Sequence, residues 1–223
     1  MFHQIMMPLI FATLLCCPGS VRADDGGLSQ KEQNELNRQF EATLDQYPAP
    51  TPTTANAIQV HSRRGDALFF LGRFEEAVTE YQAMVKIDPS QDASHWRLGI
   101  ALFFSNKPDP AAAQFDKYHS FDQVDRENGI WRYLSHYKAR GASEAKKELL
   151  RYAKDDRQPF PAVYRLFDES LTPQQTLDMI TDDLPAVERD KRLFYTELYI
   201  GMHQVVQGKR DEAISHLKLA TSR

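Results

Sequence analysis

Gly65-Asp66-Ala67-Leu68-Phe69-Phe70-Leu71-Gly72-Arg73-Phe74-Glu75-Glu76-Ala77-Val78-Thr79-Glu80-Tyr81 decides the fold, because its spaced key residues return 34 positions later. Gly65 is echoed by Gly99, Ala77 by Ala111, and Tyr81 by Phe115. The echo stays in phase: Ala145 and Leu149 lie one period further on, and Gly201 and Ala213 lie three periods after Gly99 and Ala111. A constant stride of this length marks stacked supersecondary units, each too small to bury its apolar face alone.

Each unit reads as a pair of antiparallel helices. In the first, about 58–91, helix A ends in Leu68-Phe69-Phe70-Leu71, the chain reverses at Gly72-Arg73, and helix B runs from Phe74 to Ile87, where Asp88-Pro89 stops it. In the second, about 92–125, the reversal falls at Asn106-Lys107, and Asp109-Pro110 supplies an N-cap and a first-turn proline. Gly72, Asn106 and Gly208 hold equivalent places and suit the left-handed conformation that ends a helix. A third good unit occupies 194–223. Residues 126–193 are degenerate: Ile130–Lys138 and Ala142–Lys154 are expected to be helical around a reversal at Gly141, with Phe160–Phe167 and a helix from Thr172 to about Thr181 following. No strand pattern occurs. Gly65, Gly99 and Gly201 would let helix B approach helix A, with Ala77, Ala111, Ala145 and Ala213 facing them. Tyr81, Phe115, Leu149 and Leu217 would fill the gap to the next hairpin.

The run Gly65, Gly72, Ala77, Tyr81, Pro89, then Leu98-Gly99, Ala111, Phe115, then Gly201, Gly208, Ala213, Ala220 resembles the tetratricopeptide repeat (TPR) family over about 58–223. That resemblance implies an all-α solenoid of helical hairpins across 53–223. Arg64–Gly72, Gly129–Leu134 and Phe194–Gly201 also look like bacterial outer-membrane repeat lipoproteins that act as adaptors. In the family, helix A lines a concave groove that holds a protein or peptide. Carried over, the pattern implicates Ser62, Asp66, Phe69 and Phe70, then Trp96, Ile100 and Phe103, then Leu198, Met202 and Val205. The other reading of the same residues is core between repeats. Arg63 and Arg97 stand one period apart, either as a basic pair for a carboxylate or as solvated surface. The family's carboxylate clamp would want Lys and Asn where Ser62 and Asp66 stand, so the full clamp is rejected.

Ahead of the repeats, Ile5–Cys17 is almost wholly apolar, too short to span a bilayer, and followed by Val21-Arg22-Ala23. This pattern predicts a signal peptide over 1–23, a mature chain from Asp24 without an integral membrane span, and an extracytoplasmic location, periplasmic or secreted. Lipidation of Cys16 or Cys17 is the alternative, although Leu15 and Cys16 are poor preceding residues for it. Residues 24–52 read as a lead-in and a capping helix, opened by the Ser29/Glu32 capping box and closed by Pro48-Ala49-Pro50-Thr51-Pro52.

Composition narrows the chemistry. With 27 basic and 31 acidic residues the net charge is −4, which opposes broad affinity for nucleic acid. The only cysteines are Cys16 and Cys17, so the chain after the predicted cleavage has no thiol chemistry. The histidines lack metal-site spacing, and no Gly-x-Ser-x-Gly, phosphate loop or dinucleotide fingerprint is present. Arg64-Gly65-Asp66 falls inside a helix, where it cannot serve as an adhesion loop. Glu75-Glu76, Asp155-Asp156 and Asp182-Asp183 read as helix ends or solvated faces. The expectation is a scaffold without catalytic residues, metal or cofactor. A self-associating module is the alternative, because no polar solvating helix follows Ser215–Arg223.

Overall fold

Reversal chemistry at three points fixes the hairpins. Gly72, Asn106 and Gly208 all have positive φ, at 75°, 57° and 76°. In each case the next residue's N–H reaches back five positions: Arg73 to Leu68 O, Lys107 to Leu102 O and Lys209 to Gln204 O, all at 2.9 Å. The left-handed residue itself donates three positions back, to Phe69, Phe103 and Val205. This is the Schellman pattern, which satisfies carbonyls that a helix end would leave bare and turns the chain sharply.

The computed structural model describes residues 28–51 and 54–223. The apolar segment 5–17, the expected cleavage after Ala23, and Cys16 and Cys17 lie outside the described residues. Among those described, the structure is all-α, with eleven α-helices and no strand. Two compact units, 28–121 and 122–223, divide what the period reads as one array. The first unit holds α1 (Gln30–Gln46), α2 (Ala57–Phe70), α3 (Phe74–Ile87), a 3-10 turn (Pro89–Gln91), α4 (Trp96–Phe104) and α5 (Pro108–Phe121). The second holds α6 (Arg126–Arg140), α7 (Ala142–Lys147), α8 (Phe160–Phe167), α9 (Pro173–Asp178), α10 (Ala186–Val206) and α11 (Arg210–Thr221). The Ser29/Glu32 capping box opens α1 as the sequence predicts. Helix α5 starts at Pro108, so Asp109 lies inside its first turn and is not its N-cap.

Inside each good hairpin a ring or branched side chain lies on a glycine. A Cβ at Gly65 would sit 2.5 Å from Tyr81 Cε1, one at Gly99 2.6 Å from Phe115 Cζ, and one at Gly201 2.7 Å from Leu217 Cγ. Tyr81, Phe115 and Leu217 therefore close their own hairpin across the missing side chain, which corrects the expectation that they fill the gap to the next one. Ala77, Ala111, Ala145 and Ala213 are buried, as the sequence requires of small facing residues. A second cross-hairpin contact recurs with its charges exchanged. His61 Nδ1 lies 2.7 Å from Glu80 in the first hairpin, and in the last Glu197 lies 2.5 Å from His216 Nδ1.

Aromatic rings tie the first unit together. Phe40 of α1 stacks on Phe70 at 5.1 Å, Phe70 meets Phe69 edge-on, Phe69 meets Phe74, and Phe74 stacks at 4.9 Å on Phe104, which abuts Phe103. Offset and edge-to-face pairs of this kind add about 0.5–1.5 kcal/mol each beyond their buried area.

The second unit departs from the pattern because Tyr133 stands where the period calls for glycine. Its buried ring packs instead against Phe167 at 5.2 Å and His203 at 5.7 Å. Helix α7 is consequently only six residues long, ending at Lys147 where the sequence led us to expect Lys154. Residues 148–159 form no helix, and side chains satisfy their backbone carbonyls: Arg132 donates to Glu148 O, Tyr164 to Leu150 O at 2.8 Å, and Arg126 to Lys154 O at 2.7 Å. The glycine role moves back one helical turn to Gly129, where a Cβ would collide with the Tyr152 hydroxyl. Helix α9 ends at Asp178, short of Thr181, and α10 begins eight residues before the expected Phe194.

Gly99→Ala should lower stability by about 1–3 kcal/mol through overpacking. Combining it with Phe115→Leu should give a non-additive coupling of about 0.5–3 kcal/mol. Urea unfolding of the two single variants and the double variant measures this, and simple additivity would refute the ring-on-glycine contact.

Candidate functional site

Helix α4 begins with a local device that sets up the most distinctive surface of the first unit. His95 is its N-cap, its Nδ1 accepting from Leu98 N–H at 3.3 Å, and its ring lies edge-on to Tyr81 at 4.4 Å. An imidazole accepting at Nδ1 must be unprotonated there. Burial, reinforced by the Arg97 charge, lowers its pKa to about 4. The next residues, Trp96 and Arg97, form a stacked pair with the guanidinium carbon 4.5 Å from the indole centroid. Arg97 Nε also lies 3.6 Å from Asp66 Oδ1, which accepts from the Tyr81 hydroxyl at 2.8 Å. Burial, and then the Asp66 charge, push the Tyr81 phenol well above its ordinary value. The result joins α2 to α4 and leaves a half-buried indole backed by a fixed cation.

The residues singled out from the groove pattern separate into two groups. Phe69, Phe70, Ile100 and Phe103 are buried in the first unit, and Leu198 and Met202 are buried in the second. With α1 in place, burial keeps these six from direct contact with a partner. Phe69, Phe70 and Phe103 belong to the aromatic run, and the side of helix A that carries them faces neighbouring helices. Trp96, Ser62, Asp66 and Val205 are half-buried and Arg63 is exposed. Arg63 lies over the Tyr47 ring at 5.1 Å, while Arg97 is committed to Asp66 and Trp96. Each arginine thus stacks on its own aromatic residue, and neither matches the picture of a bare surface cation.

A half-buried polar cluster in the second unit escaped the sequence reading. Asp125 caps α6, accepting from the N–H groups of Glu127 and Asn128. Asp156 accepts from Arg126 N at 3.0 Å, and its side chain is 8% exposed beside Asp155 at 88%. Asp156 is therefore not the solvated residue that the Asp155-Asp156 pair suggested. Arg157 bridges the group, at 2.6 Å from Glu127, 3.2 Å from Asp156 and 3.6 Å from Asp125, with its guanidinium carbon 4.3 Å from the Phe160 centroid. Tyr199 donates to the second Glu127 oxygen. Burial pushes the Glu127 carboxyl up to about 7 against the pull of the Tyr199 hydrogen bond and Arg157. Burial likewise raises Asp125. A perturbed carboxylate is a common mark of an active site. Here both Glu127 oxygens are engaged inside the protein, and the cluster acts as a clasp between α6, the 148–159 segment and α10. The missed signal was Arg157, a basic residue directly after two acids.

Among the described residues, no group of three or more His, Cys, Asp or Glu side chains is placed to hold a metal ion, and no helix is long and apolar enough to cross a membrane. The exposed residues of α11 are largely polar, with Arg210, Asp211, Glu212 and Ser215 beside Leu219.

A family model described as a TPR repeat matches residues 65–103, from the packing glycine of α2 through α3 and nearly all of α4. The stretch that carries the Trp96–Arg97 pair is thus similar to a TPR repeat, and such repeats mediate protein–protein contacts. No curated protein matches the chain.

The two shifted groups give opposite pH signatures. His95 titrates near 4 in the native state against 6.5 when free, so its contribution to stability is full above pH 6.5 and is lost as pH falls toward 4. Glu127 titrates near 7 against 4.5, so its contribution is full below pH 4.5 and is lost as pH rises through 7. His95→Asn, which keeps an acceptor for Leu98 N–H, should flatten the acid-side loss. Glu127→Gln should flatten the loss between pH 4.5 and 7. Urea midpoints from pH 4 to 8 test both, and a Glu127→Gln curve parallel to wild type would remove the assignment.

Proposed function

We propose that this protein is an exported, non-enzymatic scaffold that holds a protein or peptide partner on the α2/α4 face of its first unit. One observation carries the reading: the Trp96 indole is half-exposed yet fixed, stacked on Arg97, which Asp66 orients. Aromatic and arginine side chains held rigid over a packed core are the groups that dominate protein interfaces, because little side-chain entropy is lost on contact. Ser62 and the exposed Arg63 stand one 34-residue period before the pair, on α2, and would offer a hydroxyl and a cation to the same partner. The TPR match over this stretch supports a protein as the ligand. Export rests on the apolar segment 5–17 and on Val21-Arg22-Ala23. Lipid attachment at Cys16 or Cys17 is the weaker form of the same reading. The likeness to outer-membrane adaptor lipoproteins makes an envelope partner the natural first choice.

Trp96→Ala combined with Arg97→Ala should abolish capture of partners from the extracytoplasmic fraction while helical content is kept. Phe103→Ala should instead destabilise the first unit by about 3–5 kcal/mol, as expected for a buried ring. Affinity capture with mass spectrometry, alongside circular dichroism melts, separates the two outcomes. Capture unchanged by the Trp96/Arg97 pair would sink this face as the site. Sequencing the N-terminus of the purified protein tests export, with Asp24 as the expected first residue.

A further inference from the structure

Helix α1 differs in kind from the helices it accompanies. Across Gln30–Gln46 it has no buried residue, whereas α3 buries Phe74, Ala77, Val78, Tyr81 and Met84. Its large apolar side chains are Leu36, Phe40 and Leu44, spaced four apart on one stripe and half-buried, and almost all the rest of its surface is polar. A helix so short and so polar is marginal by itself in water, so its helical state depends on its seat.

That seat is chemically specific. Phe40 stacks on Phe70 at 5.1 Å, and with α1 in place Phe70 is buried. Glu41 lies 3.6 Å from Arg73 at the α2/α3 turn. At the end of α1, Arg64 donates to Tyr47 O at 2.7 Å. Beyond it the sequence runs Pro48-Ala49-Pro50-Thr51-Pro52, a composition that favours an extended tether, and among the described residues no helix lies between α1 and α2. The arrangement is that of a peptide ligand attached to its own receptor, where the tether supplies a high effective concentration in place of deep burial.

We infer that the α2 flank of the first hairpin is a docking surface for an amphipathic helix of a partner protein with the pattern Leu-x3-Phe-Glu-x2-Leu, and that α1 fills it in cis as an exchangeable occupant. The Phe70 ring reads the central aromatic residue, the flanking leucines extend the apolar contact by one turn on each side, and Arg73 selects an acid directly after the aromatic residue. Recognition by anchors at i, i+4 and i+8 is the helix-in-groove mode. This surface is separate from the Trp96 face and does not depend on the partner proposed there.

The test uses the full chain and a fluorescent synthetic peptide spanning Leu28–Pro48. A chain carrying Phe40→Ala and Leu44→Ala, which frees the seat, should bind the peptide at least about tenfold more tightly than wild type, whose own α1 competes. Adding Arg73→Glu to that chain should weaken binding about threefold, and a peptide carrying Glu41→Arg should restore it. A freed chain that keeps cooperative unfolding and does not bind the peptide overturns the inference. A freed chain that dimerises with its seat closed to peptide overturns it in favour of a second copy as occupant. Hydrogen exchange on wild type provides a check that needs no variant. Amides of α1 should exchange through a local opening well before those of α2 and α3, and exchange of all three only on global unfolding would show α1 to be a fixed part of the unit.

Discussion

The contact on which the hairpins depend is a side chain laid directly on helix backbone. Gly65, Gly99 and Gly201 present no Cβ, and Tyr81, Phe115 and Leu217 occupy the space a Cβ would take, at separations of 2.5–2.7 Å that no real Cβ could hold. Two helices can then lie close, and the buried alanines at 77, 111 and 213 keep the second contact equally thin. Once the helices are that close, the left-handed residue at 72, 106 or 208 is the short route by which the chain can reverse. Turn geometry, residue size and repeat length are consequences of one steric constraint.

Close packing also determines which side chains remain for recognition. The family pattern makes Phe69, Phe70 and Phe103 candidate binding residues in sequence, but with the helices so near they are buried in the aromatic run that joins α1 to α4. The first turn of α4 escapes this, because His95 caps the helix and turns Trp96 and Arg97 outward while Asp66 holds the cation in place. An aromatic–cation pair held rigid at the rim of a packed core would lose little entropy on contact, and the proposed binding role rests on that.

In the α6/α7 pair of the second unit the same constraint is broken, and the backbone changes with it, whereas α10 and α11 keep it through Gly201 and Leu217. With Tyr133 at the glycine position, α7 stops after six residues and the chain continues without helix through 148–159. Buried polar groups take over the structural role there: Arg126 and Arg132 supply donors to bare carbonyls, and Arg157 gathers Asp125, Glu127 and Asp156. Glu127 in this unit loses its contribution as pH rises through 7, whereas His95 in the first unit loses its own as pH falls toward 4, so the two units respond to pH in opposite senses.

The sequence by itself determined the all-α class, the hairpin boundaries through Ile87, the three left-handed reversals and the capping box of α1. Each of these is set by residues near one another in the chain, or by a size requirement that repeats at a fixed interval. It could not determine which side of helix A faces water, because Phe70 and Trp96 are equally apolar and only the neighbouring helices decide which is covered. It also hid the His61/Glu80 and Glu197/His216 pairs, since exchanging acid and base erases a periodic match while preserving the contact. Asp156 was misread for a related reason: a charge run has no intrinsic burial, and folding of 148–159 against α6 is what took its side chain out of water. Tertiary structure decided those points because burial and pairing depend on which distant segments meet, and no local property of a side chain records that.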